Sequence, residues 1–107
     1  MSRKHTDRAK TPEISASEFP ALRDFLRGYF HEDLIDEYGS AEAAVRQFCR
    51  DADAAQRKAV SEEWARLMDR VPYPAMNAAI RKLGSSYEFA SNDEIKKVAA
   101  IFREYDR

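Results

Sequence analysis

The chain has 107 residues, room for one domain and not comfortably for two. Apolar residues make up 44% and charged residues 35%, the balance of a small fold that exposes much of its surface. The net charge of −1 argues against general nucleic-acid binding, which needs a basic face to neutralise phosphates.

Met1 to Ser17 has no apolar core and is not a signal peptide. Residues 1–16 are polar, carry Arg3, Lys4, Arg8 and Lys10, and show no periodicity. They are expected to form a flexible tail ahead of a helical domain over 17–107. A basic tail can touch nucleic acid; a segment this short reads first as a solvated terminus.

The helical pattern starts at Phe19. Pro20 suits a first helical turn, where its missing N–H costs nothing. Leu22, Phe25, Leu26, Tyr29 and Phe30 then form one apolar stripe, with Arg23, Asp24 and Arg27 off it. Gly28 interrupts this helix near its end, as at a close approach of another backbone. His31 to Gly39 is a short acidic connection. Ser40 is a good N-cap for a second helix with Val45, Phe48, Cys49 and Ala52 inward. Asp53 and Gln56 have the spacing of a capping box. They open a third helix, with Val60, Trp64, Leu67, Met68 and Val71 on its apolar face. Pro72 and Pro74 break the chain. A shorter helix buries Met76, Ala79, Ile80 and Leu83 and ends at Gly84, a residue suited to a left-handed C-terminal cap. Ser91 or Asn92 caps a last helix with Ile95, Val98, Ala99, Phe102 and Tyr105 inward. Only Tyr87 to Phe89 has any strand character, over three residues. The prediction is an all-α fold, a single small bundle of about five helices with short connections.

Signals for chemistry are sparse. The sole cysteine, Cys49, excludes an intramolecular disulfide and suits a reducing cytoplasm. It sits beside Phe48 on an inward face, where packing is the expected role. His5 and His31 are the only histidines, and no metal-ligand spacing recurs. Asp51 and Asp53 lack the glycine and distal glutamate of a calcium loop. Glu32, Asp33, Asp36, Glu37 and Glu42 lie between Arg27 and Arg46 with no Lys or Arg among them. Three readings stand open: a solvated loop with acids near a helix N-terminus, a surface for a basic partner, or a catalytic acid–base pair. Tyr38, Tyr73 and Tyr87 lie in connections, at an interface or half-buried against the bundle.

Phe19-Pro20-Ala21-Leu22, Tyr29-Phe30-His31-Glu32-Asp33, Asp36-Glu37-Tyr38-Gly39-Ser40 and Leu83-Gly84-Ser85-Ser86-Tyr87 follow in order. This series resembles a family of small bacterial immunity proteins of contact-dependent growth inhibition systems. Its members carry a Phe-Pro-x-Leu helix start, a Tyr-Phe-His-Gln-Asp stretch, a Tyr-Gly turn and a Leu-Gly-x-x-Tyr. Glu32 stands where the family has Gln, Leu34 where it often has Trp, and the last helix lacks a tryptophan.

The resemblance implies a cytoplasmic, non-enzymatic protein that needs no cofactor. Its partner would be the toxic C-terminal domain delivered by neighbouring cells, with no membrane, direct nucleic-acid or small-molecule substrate role. Such toxins are often nucleases, whose phosphate-binding sites are basic, so an acidic inhibitor can occlude the active or substrate-binding site. Family members oppose different toxins, so shared residues are expected to hold the fold. His31, Asp33, Tyr38 and Gly39 are then structural, with Asp33 capping a helix or bonding His31. Glu32, Asp36 and Glu37 become the toxin-binding candidates, with Glu42 behind them. The alternative is a nucleic-acid-associated helical regulatory protein that uses the basic tail.

Overall fold

A computed structural model of the protein describes residues 14–105. A 3-10 turn, Ala16–Glu18, leads into α1 (Pro20–Tyr29), α2 (Leu34–Tyr38), α3 (Ala41–Asp51), α4 (Ala54–Arg70), α5 (Tyr73–Lys82) and α6 (Asn92–Tyr105). No strand occurs among the described residues. The fold is all-α as expected, with six helices rather than five.

The extra helix, α2, falls in the acidic connection. At five residues it is too short to show the i, i+3, i+4, i+7 repeat by which a helix is read from sequence. Only Leu34 and Tyr38, one turn apart, face inward; Leu34 is buried and Tyr38 half-buried.

Helix starts follow local chemistry. The Ser40 hydroxyl accepts the Ala43 amide at 3.0 Å. Asp53 and Gln56 form the reciprocal box, at 2.8 and 3.0 Å. Ser91 Oγ accepts the Glu94 amide at 3.3 Å. Helix α1 has Pro20 at its first position but no side-chain cap from Phe19. Glu63 of α4 supplies one from across the bundle, its Oε1 accepting the Leu22 amide at 2.8 Å. Arg57 of α4 similarly closes the end of α3, donating to the carbonyls of Ala52 and Cys49 at 2.8 and 3.1 Å. Helix α5 ends as expected at Gly84, with φ +115°. The Ser85 amide reaches back to the Ile80 carbonyl and the Gly84 amide to that of Arg81, which satisfies two terminal acceptors.

The core is aromatic at its centre. Phe25 lies 4.9 Å from Phe48 of α3, 6.1 Å from Phe102 of α6 and 5.2 Å from Phe30, centroid to centroid. One ring of α1 therefore joins three helices. Trp64, Leu67, Met76, Ile80 and Ile95 are fully buried around it, and Cys49 is buried as a packing residue.

One expectation needs correction. Gly28 meets no close backbone: a Cβ built on it would find nothing within 4 Å. In keeping with the all-α expectation, Tyr87 to Phe89 is extended but forms no strand, because the backbone partner of Phe89 is a side chain. Asn77 accepts the Phe89 amide at 2.8 Å and donates to the Phe89 carbonyl at 3.0 Å. Residues 1–13 of the expected tail lie outside the described residues; residues 14–16 lie within them. Ile14 is buried, and Ser15 caps the 3-10 turn in a box with Glu18.

Candidate functional site

The acidic connection is held between two segments distant in sequence. Phe30, at the end of α1, is fully buried, with its ring 5.5 Å from Tyr87 and 5.7 Å from Phe89. Its carbonyl accepts the Ser86 amide at 2.8 Å. Tyr29-Phe30-His31 and Leu83 to Tyr87 thus meet in one junction, from which the chain turns into α2.

His31 organises the turn. Its Nδ1 accepts the Asp33 amide at 3.1 Å, and its Nε2 lies 3.1 Å from Glu37 Oε1. An accepting Nδ1 requires the neutral ring to carry its proton on Nε2, where it can donate to Glu37. The Glu37 amide closes the first turn of α2 on the Asp33 carbonyl at 2.8 Å. Gly39, at φ +93°, ends α2 with its amide on the Ile35 carbonyl.

Tyr38 stacks on Tyr29 at 5.8 Å. The Tyr29 hydroxyl donates to Asp51 at 2.7 Å, and Gln47 donates to the other oxygen of that carboxylate at 2.9 Å. Burial pushes the Tyr29 phenol up, assisted by the Asp51 bond, and burial likewise raises Tyr38, beside Glu37. The bonds from Tyr29 and Gln47 hold Asp51 below the usual carboxylate range. Helix α2 is thereby fastened to α1 and α3 by a buried leucine, a histidine bridge and a tyrosine stack.

Of the two roles expected of Asp33, the bond to His31 is present and the side-chain cap is not. Asp33 occupies the N-cap position of α2, but its carboxylate makes no capping bond, and His31 holds its backbone amide instead. With φ −93° and ψ 10°, Asp33 lies outside the extended region from which a capping side chain folds back.

The four candidate acids separate into groups. Glu32 and Asp36 are exposed and make no ion pair or side-chain hydrogen bond among the described residues. Glu37 is exposed but held by His31. Glu42 lies beyond the Gly39 turn, in the first turn of α3, 3.7 Å from Arg46. Arg46 also clasps Glu104 of α6 at 2.9 and 3.4 Å, and that bond raises its pKa. Glu42 further borders a cavity of about 320 Å³ with Ser40, Ser91, Asp93, Glu94 and Lys97. Asp93 and Glu94 escaped sequence reading; acids after a Ser91 cap were the available signal. Ile35 carries no signal of its own in the sequence. It sits between Leu34, which is buried, and Asp36, and it is 54% exposed.

A catalytic pair would need two carboxylates in an apolar pocket. The mostly apolar groove of about 440 Å³ between α1, α3 and α4 is lined by one carboxylate, Asp24, and by none of the four acids. Among the described residues, no group of three or more His, Cys, Asp or Glu could hold a metal ion. No helix there is long and apolar enough to cross a membrane. Arg3, Lys4, Arg8 and Lys10, on which the nucleic-acid alternative rests, lie outside the described residues.

A family model described as CdiI immunity protein matches residues 18–98, which include the α1–α2 junction and the segment that packs on it. No curated protein and no solved structure matches the chain. The chain belongs to the CdiI immunity protein family, whose members are not enzymes but bind a cognate toxin domain of a contact-dependent growth inhibition system and neutralise it.

Proposed function

We propose that this immunity protein neutralises its toxin in the cytoplasm by seating the acidic face of α2 on a basic surface of the toxin domain. Glu32, Asp36 and Glu37 make the contact, and Glu42 extends it. In a nuclease toxin that basic surface is the active or substrate-binding site, and covering it keeps nucleic acid out.

One observation carries this reading: Glu32 and Asp36 are exposed and have no partner among the described residues, on a segment whose neighbours are tied down. A partner then receives charge without having to order the turn and helix that bear it, which lowers the cost of binding. The arrangement also divides the labour as a family with varied toxins requires. Phe30, His31, Tyr38 and Gly39 build the platform, while Glu32 and Asp36 face outward.

The test is co-expression with the cognate toxin domain in cells, together with titration of purified proteins. Native protein is expected to protect and to bind more weakly as salt rises, because exposed charges are screened beyond about 10 Å at 0.1 M. Neutralising Glu32, Asp36 and Glu37 together should weaken binding. Normal binding by that variant at low salt would place the interface elsewhere.

A further inference from the structure

Ile35 is the one large aliphatic side chain left exposed among the described residues; the other exposed large apolar residue, Tyr73, has a hydroxyl to solvate. A lone exposed apolar side chain is ordinary on a protein surface. This one has an unusual setting. It occupies a five-residue helix, where a β-branched residue is a poor helix former. The helix cannot roll to hide it. Leu34, just before it in the chain, is buried, and adjacent helical residues point about 100° apart, so turning Ile35 inward would drive Leu34 into water. The His31 bridge to Asp33 and Glu37 and the Tyr38 stack on Tyr29 fix that orientation. Asp36 follows Ile35 in the chain and Glu32 stands three residues before it; both are exposed and make no ion pair or side-chain hydrogen bond among the described residues.

We propose that Ile35 is the apolar anchor of the toxin interface, and that its occupant is a recess within a basic surface of the cognate toxin domain. The inference rests on the reading of α2 as the toxin-binding face and adds what that reading lacks. Acids on an exposed rim steer encounter and select a basic partner, but they dissociate easily in salt. A desolvated apolar centre inside a polar rim holds the complex once formed. The charge of the rim identifies the partner surface, because no Lys or Arg stands between Arg27 and Arg46 and only a basic face matches it. Anchor and rim thereby act on different rate constants.

The experiment uses the full-length protein and the purified cognate toxin domain, with association and dissociation rates measured at low and high salt. Ile35→Ser should dissociate about tenfold faster or more, with an unchanged salt dependence and an unchanged melting temperature. Ile35→Leu, which keeps an apolar tip, should bind within about threefold of native. The double variant Glu32→Gln, Asp36→Asn should associate more slowly with a shallower salt dependence and a native dissociation rate. Native binding by Ile35→Ser overturns the anchor. If the acid variant is then still impaired, the acidic-face reading stands without it; if both bind normally, both readings fail. A second measurement needs no variant: amides of residues 34–39 should exchange more slowly when toxin is added, and unchanged exchange there also overturns the proposal.

Discussion

The Ser86 amide donates to the Phe30 carbonyl across 2.8 Å, so the end of α1 is fixed by a segment that has no regular structure of its own. That segment must satisfy its backbone groups one at a time. The Ser85 hydroxyl bonds the Tyr87 amide, the Asn77 amide group takes both polar groups of Phe89, and Glu94 accepts the Ala90 amide at 2.8 Å. Phe89 is buried, so its N–H and C=O have little access to water if Asn77 is lost.

Asn77→Ala is therefore expected to destabilise by about 1–3 kcal/mol, the cost of stranding buried polar groups rather than the smaller net worth of a hydrogen bond. Urea denaturation at neutral pH measures it. A loss within error of zero would mean that water reaches Phe89, and that the segment is held by its aromatic contacts alone.

These tertiary dependences mark the limit of what the sequence shows. The inward stripes of α1, α3, α4, α5 and α6 are legible because each runs for two turns or more, long enough for the helical period to repeat. Ser40, the Asp53–Gln56 box and Gly84 are legible because capping is local. Helix α2 is not, since one turn held by Leu34, His31 and Tyr38 has no period to read. Nor is Glu63, which caps α1 from another helix, or Ile14, a single buried residue beside a polar run. At the candidate site, charge is visible in the sequence but pairing is not. The four candidate acids carry the same charge in the sequence, but the fold ties Glu37 to His31 and Glu42 to Arg46 and leaves Glu32 and Asp36 with no partner among the described residues.

Gly28→Ala is expected to stabilise. Gly28 lies within α1, has no positive φ, is exposed, and would carry a Cβ in open space. Alanine removes backbone freedom from the unfolded chain at no steric cost in the folded one, worth about 0.5–1 kcal/mol. Thermal melting should show a rise; a fall would mean that α1 needs the freedom of glycine at its end.

Stability should decline at both extremes of pH, for opposite reasons. Burial, with the bond to Glu94, pushes the Tyr87 phenol from its ordinary 10.0 up to about 12. Tyr29 and Tyr38 shift the same way. A raised folded-state pKa contributes stability that is fully present below 10.0 and is lost as pH rises through the folded value. Asp51, held down by Tyr29 and Gln47, and Glu18, held down chiefly by Arg70, do the reverse. They contribute above the ordinary carboxylate range and lose that contribution as pH falls through their depressed values. Melting temperatures followed from about pH 8 to about pH 11 should fall, and Tyr87→Phe should fall less steeply. An equal alkaline slope for Tyr87→Phe would remove Tyr87 from this account.

His31 should behave as a structural residue with a defined tautomer. Nitrogen NMR is expected to find the neutral form of the ring protonated on Nε2, as the bond from the Asp33 amide to Nδ1 requires. His31→Ala should cost about 1 kcal/mol, because the groups it strands are exposed and can turn to water. Its toxin binding should weaken without a change in salt dependence, since the variant loosens the platform and removes no negative charge. Predominance of the Nδ1–H form would contradict the bridge.

The last expectation ranks the acids against one another. Electrostatic steering responds to the field a charge projects, and a carboxylate beside a guanidinium projects less of it. Glu42 shares Arg46 with Glu104, so the three groups together carry one net negative charge spread between α3 and α6. Glu32 and Asp36 have no such partner among the described residues. Single substitutions Glu32→Gln and Asp36→Asn should each slow association with the toxin domain more than Glu42→Gln does, and the gap should narrow as salt approaches about 1 M, where screening reaches about 3 Å. Stability should hardly change in any of the three, because an exposed ion pair such as Glu42–Arg46 is worth about 0–1 kcal/mol. Stopped-flow association rates at several salt concentrations make the comparison. If Glu42→Gln is the slowest of the three, the interface centres on the cavity that Glu42 shares with Asp93 and Glu94, and α2 lies at its edge.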